Sequence, residues 1–232
     1  MARIDHCSNL IHFTKGKNNP LDYEEAYQSF KRIIKSKTLN SGNGMILGKH
    51  KCICFTEIPA KCLTINGTLD KKYFSRYTPF GFQFTKNDIY NYDGRPVIYS
   101  HRNEYDLEKN NPNLNWRFVS YNPNEKGRLD FTWEREWRIK NDYVKLDNEK
   151  VKLVFPNMGW INRFINEHEK EYHNLSLDDD CEKCYCKRDA TILKIKDILE
   201  DESCEISTGT CINSDEFPWI LIDMNEKEIA KS

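Results

Sequence analysis

The ten residues FTWEREWRIK, Phe131 to Lys140, constrain the fold more than any other stretch. Their side chains alternate with a period of two. Phe131, Trp133, Arg135, Trp137 and Ile139 fall on one face, and Thr132, Glu134, Glu136, Arg138 and Lys140 on the other. Wound as a helix, the aromatics would circle the cylinder instead of forming a stripe, so the spacing predicts a β-strand. On a strand rising about 3.3 Å per residue, Glu134 and Glu136 project from the same face roughly 7 Å apart. Two carboxylates so placed serve either chemistry or ion pairing on a solvated face. Arg135, between two tryptophans, reads as a stacked or paired structural cation, and Arg138 as a partner for one glutamate or for a phosphate.

Strand patterns dominate the first two thirds. NLIHFTKG reads as a strand ending at Gly16. A helix follows, with Pro20 near its start, Asp22, Glu24 and Glu25 at the N-terminal end, and Lys31, Arg32 and Lys35 at the other. Tyr23, Ala26, Tyr27, Phe30, Ile33 and Ile34 make its buried stripe, and NSGNG is the turn that stops it. KCICFTEIP is a strand that ends at Thr56 and Glu57 before a proline. FGFQFTKNDIY alternates Phe80, Phe82 and Phe84 on one side, RPVIYS is a further strand, and 103–116 reads as a loop with at most a helical turn.

Past Val151 the chain reads as a strand (VKLVFP), an amphipathic helix (WINRFINEHEKEYHN), a loop (DDDCEKCYCKRD) and two late strands (DATILKIKDI and PWILIDM). The pattern predicts an α+β fold, a mixed or antiparallel sheet carrying few helices. Residues 1–150 form the core, and 151–232 form the C-terminal part of the same domain or a small appended module.

Charge and composition exclude several classes. With 35 basic against 36 acidic residues, no net field calls for a polyanion or a membrane surface. No stretch approaches the roughly 18 apolar residues of a membrane span, and MARIDHCSNLIHF lacks the basic-then-apolar pattern of a secretory signal, so the expectation is a soluble, cytoplasmic protein. Nine cysteines, odd in number and irregularly spaced, do not make a disulfide framework. Aromatics at 12% against 38% hydrophobic residues predict a core built around Phe, Tyr and Trp.

Three clusters adjoin hydrophobic strands: His12 in IHFT, Thr56 and Glu57 in CFTEIP, and the Glu134/Glu136 pair. Each alone is compatible with a structural role. Together they are what a site at the split of a sheet would contribute. A separate group, Cys181, Cys184 and Cys186 in CEKCYC, has thiolate spacing that could ligate zinc. A second knuckle is lacking, which favours free thiols; Cys204, Cys211 or His173 would have to supply a fourth ligand.

In order and spacing, HFT, CFTEIP, FGFQFTK followed by GRPVIY, and EREWR resemble the bacterial abortive-infection (AbiG-type) proteins and related domains of unknown function. The resemblance covers about Leu10 to Lys145. Some of these domains are distantly similar to ADP-ribosyltransferases, whose split sheet binds NAD as a substrate. What the resemblance implies is an ADP-ribosyltransferase-like core in which His12 bonds a ribose hydroxyl of NAD and Thr56 orients the nicotinamide ribose. Glu136 would be the catalytic glutamate and Glu134 its accessory acidic residue. Phe80 and Tyr99 are the aromatic candidates to stack on nicotinamide.

The residues leave three functional readings open. The first is an NAD-dependent ADP-ribosyltransferase of a phage-defence or toxin-antitoxin system, acting on a macromolecular acceptor, protein or nucleic acid. The second is a non-catalytic interaction module or antitoxin that meets a partner chain. The third is a metal-dependent nuclease, since two acidic residues on one strand can hold a divalent cation.

Overall fold

Aromatic side chains on one helix and one strand decide where the core lies. In the computed structural model, which describes residues 7–44, 46–59, 63–65, 68–69, 74, 76–124, 130–147, 150–175 and 220–223, Phe30 meets Phe80, Phe82 and Phe155 with ring centroids 4.8–5.8 Å apart. Trp160 stands edge-on to Phe80 at 5.0 Å. Rings at these separations add to the area they bury.

The described elements follow the order β1 (Asn9–Phe13), α1 (Tyr23–Ser36), β2 (Thr38–Asn40), β3 (Ile53–Phe55), β4 (Thr64–Ile65), β5 (Thr68–Leu69), β6 (Gly81–Thr85) and α2 (Lys86–Asn91). Next come β7 (Arg95–Pro96), β8 (Ile98–Ser100), α3 (Arg102–Glu108), β9 (Phe118–Ser120), β10 (Trp137–Ile139), β11 (Tyr143–Lys145), β12 (Lys152–Phe155), α4 (Met158–Leu175) and β13 (Ile220–Asp223). The fold is α+β, with few helices and small, mainly antiparallel sheets.

The larger sheet runs β1-β6-β12-β13, antiparallel except for the parallel β12–β13 pair. Its central strand β6 carries Gly81 opposite Phe13 on one side and Val154 on the other. A Cβ there would lie 2.9 Å from the His12 carbonyl oxygen, so the absent side chain lets β1 come close. A second sheet runs β3-β10-β7, with Pro96 on its edge strand where a missing N–H is tolerated. Helix α1 covers the first sheet through Ala26, Tyr27 and Phe30, and is capped by the Asp22 carboxylate on the Glu25 N–H. Arg163 of α4 grips Glu24 of α1 with two bonds of 2.6 and 2.9 Å, tying the two helices together.

Several expectations are corrected. FTWEREWRIK is not one strand. Thr132–Glu134 form a 3-10 turn, Arg135 is left-handed at φ 45 and ψ 53, and only Trp137–Ile139 are extended and paired. The cause is local: the Asp130 carboxylate accepts from the Thr132 N–H and hydroxyl, an Asx-type turn that competes with a ladder. RPVIYS is split into β7 and β8, which lie in different sheets: the Val97 N–H, bonded to the Glu136 carbonyl at 2.9 Å, extends the β7–β10 ladder by one rung, and β8 from Ile98 pairs with β9 instead. Segment 103–116 contains the two-turn helix α3 around the buried Tyr105, and the strand expected through KNDIY gives way after Thr85, which caps α2. Helix α1 stops at Lys37, in the left-handed region, before the predicted turn, and β2 intervenes.

Phe80, offered above as a nicotinamide-stacking residue, is fully buried between α1, β12 and Trp160 and has no face open to a ligand. Cys181, Cys184, Cys186 and the expected strand DATILKIKDI lie outside the described residues. No described helix is long and apolar enough to cross a membrane. Phe80→Ala is expected to lower unfolding stability by about 3–5 kcal/mol, as removal of a packed core ring does, measurable by urea denaturation. A ring that served only to stack on a ligand would leave the denaturation midpoint near that of the unaltered protein.

Candidate functional site

The two sheets meet at their edges. Ile11 of β1 and Thr56, just after β3, exchange backbone hydrogen bonds of 2.9 Å in a single antiparallel bridge. Continued by one step, the ladder would pair Phe13 with Cys54. Instead the Cys54 carbonyl accepts from Nδ1–H of His12 at 2.8 Å, and the strands separate. A side chain has replaced the backbone as the bond across the gap.

A cavity of about 490 Å³ opens there, within the range of roughly 300–1,000 Å³ usual for small-molecule sites. One wall is β1 with Thr14 and Lys15. A second is formed by Cys52, Cys54, Phe55 and Thr56, a third by Ser29 and Ile33 of α1 with the segment after β2, and a fourth by Arg76, Tyr77, Glu134 and Glu136. The structure therefore brings His12, Thr56, Glu134 and Glu136 to one cavity from three distant parts of the chain. The two glutamates reach it from a turn and not from one face of a strand.

His12 donates through Nδ1, so its neutral form presents Nε2 as an acceptor. Burial holds its pKa below the ordinary histidine value, against the opposing effect of the Cys54 bond. Thr56 is buried, and its hydroxyl donates to the Glu134 carbonyl at 2.8 Å. It fixes the acidic turn, with an oxygen lone pair left over. The Glu57 N–H reaches the same carbonyl at 3.2 Å. Glu57 itself is engaged elsewhere, with Lys86 at 2.7 Å and the Trp137 indole at 2.9 Å.

The two carboxylates differ sharply. Arg138 grips Glu136 with Nε on one oxygen at 2.8 Å and Nη2 on the other at 3.1 Å. Glu134 accepts no side-chain hydrogen bond among the described residues. Burial and the neighbouring Glu136 charge push its pKa up to about 7, with Arg76 and Arg138 opposing. It can therefore exchange a proton near neutrality.

Tyr99 does not line the cavity. Its hydroxyl accepts from the Glu136 N–H at 3.1 Å and donates to the Phe131 carbonyl at 3.1 Å, bracing the turn from behind, and burial raises its pKa to about 12. It is a structural support here, not a stacking platform. Trp133 and Trp137, expected to share a face, are partly buried against different hydrophobic clusters, since the left-handed Arg135 lies between them.

Some lining residues escaped the sequence reading. Cys52, just before β3, and Cys54 within it both line the cavity, a period-two signal visible in KCICF. Burial pushes the Cys52 thiol up to about 11 and holds the Cys54 thiol well above the ordinary cysteine value, so neither is a thiolate at neutral pH. Tyr77 stacks on Phe13 at 5.3 Å with its hydroxyl buried and without a hydrogen-bond partner among the described residues, and no sequence signal marked it. Among the described residues no group of three His, Cys, Asp or Glu is placed to hold a metal ion. Comparison of the chain with protein-family models, with curated proteins and with solved structures finds no match.

The raised Glu134 pKa links stability to pH. The folded state binds this proton more tightly than the unfolded chain, so the stabilisation is complete below the ordinary value near 4.5 and is lost as pH rises through about 7. Glu134→Gln keeps the neutral shape at every pH. It is expected to be more stable than the unaltered protein at pH 8 by on the order of 2 kcal/mol, allowing for partial exposure, with the gap closing below pH ~4.5. Denaturant titrations at pH 8 and pH 4.5 check this, and equal differences at both would contradict it.

Proposed function

We propose that the chain is an ADP-ribosyltransferase-like enzyme of a phage-defence or toxin-antitoxin system that cleaves NAD and passes ADP-ribose to a macromolecular acceptor. The observation that carries the reading is the convergence of His12, Thr56, Glu134 and Glu136 on one cavity at the junction of two diverging sheets. A split sheet so lined is what the resemblance in HFT, CFTEIP and EREWR led one to expect.

The residue chemistry supports it. Breaking the bond between ribose C1′ and the nicotinamide nitrogen sends the bonding pair to nicotinamide and leaves oxocarbenium character on the ribose. A carboxylate bonded to the neighbouring 2′-hydroxyl stabilises that charge as it develops. Glu136 is suited to this, because each oxygen held by Arg138 keeps a further lone pair. The acceptor then attacks C1′ and loses its proton to Glu134, whose affinity for a proton near neutrality matches a general base. Nε2 of His12 is an acceptor for a ribose hydroxyl. Lys15 and Arg76, the cations on the cavity wall, suit the pyrophosphate.

Glu136→Gln keeps the shape and removes the charge. It is expected to reduce release of nicotinamide from NAD by about 100- to 1000-fold, the usual consequence of losing one charge-stabilising group. Glu134→Gln should lose transfer to the acceptor while retaining some hydrolysis, because water needs less positioning than a macromolecular nucleophile. Both are measured with labelled NAD and a cell lysate resolved into protein and nucleic-acid fractions. An unaltered protein that neither binds NAD in calorimetry nor labels either fraction would transfer support to the interaction-module reading.

A further inference from the structure

Arg138 stands in the middle of the three-residue strand β10, paired with Cys54 on one side and Arg95 on the other, and is only 3% exposed. A buried cation must satisfy its donors or destabilise the fold. It does so completely enough to act as a frame. Nε and Nη2 hold the two oxygens of Glu136, while Nη1 donates to the carbonyls of Trp116 at 2.9 Å and Phe118 at 3.2 Å. Those carbonyls belong to the segment entering β9, which lies outside the sheet that carries Arg138. The Glu136 N–H is fixed separately by Tyr99.

Glu134 has the opposite arrangement. Its carbonyl is pinned by Thr56 and by the Glu57 N–H, but its carboxylate is held by no described side chain. The charged and titratable groups around it are Glu136, Arg76, Arg138 and the Tyr77 and Tyr99 phenols. Two acidic groups in one cavity are thus held in different ways, Glu136 by its carboxylate and Glu134 by its backbone carbonyl.

We propose that Arg138 is the positioning residue of the site: its planar fork locks the Glu136 carboxylate against the Trp116–Phe118 backbone, leaving proton transfer to the unclamped Glu134 carboxylate. The assignment rests on the NAD-cleaving reading above. Lysine cannot replace the fork, because a single ammonium on a flexible stem cannot hold two carboxylate oxygens and two carbonyls in one plane. Arg138 acts only through Glu136 and touches no substrate.

Two double-mutant cycles on Arg138→Lys and Glu136→Gln test this, one in unfolding equilibria and one in NAD turnover. Arg138→Lys alone should lower kcat by about 10- to 100-fold, as misplacement of a catalytic group does, with KM within about threefold. Combined with Glu136→Gln it should slow turnover by no more than about threefold further, because the clamp has nothing left to position. In the unfolding cycle the two substitutions should be coupled by at least about tenfold in the equilibrium constant. Where Arg138→Lys does not fold, Arg138→Gln takes its place in both cycles. Multiplicative effects on kcat, or additive effects on unfolding, overturn the clamp. Coupled unfolding in a protein without NAD turnover instead refutes the enzymatic reading, and with it the positioning role, so the two failures are told apart.

Discussion

One backbone bridge, Ile11 to Thr56, is the constraint on which the rest of the site depends. It joins the edge of the four-stranded sheet to the end of β3 for a single step, and two residues that line the cavity, His12 and Thr56, stand next to it or in it. His12 follows Ile11 and crosses the gap with its ring. The Thr56 side chain reaches beyond the bridge to the Glu134 carbonyl, so the same residue that closes the sheets positions the acidic turn. A continuous ladder at this point would leave no cavity, and sheets with no bridge would leave nothing to hold the three segments at a fixed distance. An edge strand exposes unpaired N–H and C=O groups, and here they are satisfied by one bridge and one histidine.

The electrostatics follow from that geometry. Placing two carboxylates in a half-buried cavity costs free energy that rises with each charge withdrawn from water. The chain meets the cost in two ways. A buried arginine neutralises Glu136, and Glu134 takes up a proton more readily than a free carboxylate does. The pair is thereby divided into a carboxylate clamped by Arg138 and a carboxylate that exchanges its proton near neutrality, an arrangement characteristic of acid–base sites. The surrounding groups keep out of the titration: His12 is held toward its neutral form, and the Cys52, Cys54, Tyr77 and Tyr99 groups are pushed away from ionisation by burial.

The strands and the aromatic core were legible because they rest on periodicity and ring content. Phe80, Phe82 and Phe84 alternate inward as read, and α1 begins where Asp22 and the acidic first turn say it should. The grouping of His12, Thr56, Glu134 and Glu136 was legible only as a set, each member beside a hydrophobic strand. The geometry behind it was not. Arg135 in the left-handed region leaves no mark in an alternating pattern, and the carbonyls of Trp116 and Phe118 that hold Arg138 carry no sequence identity at all. Phe80 and Tyr99 went astray for a related reason: a ring that packs in the core or braces a turn has the same composition as one that stacks on a ligand. Only the Asp130-x-Thr132 turn signal, read against the strand pattern, could have revealed the break before Trp137.

The central claim is that NAD lies in the cavity at the sheet junction, and a crystal structure of the Glu136→Gln protein grown with NAD tests it most directly. The account predicts the dinucleotide between the His12 and Glu134 walls, with the nicotinamide ribose within hydrogen-bond reach of residue 136 and of Nε2 of His12. NAD bound elsewhere on the molecule, or an empty cavity at saturating NAD, would contradict it.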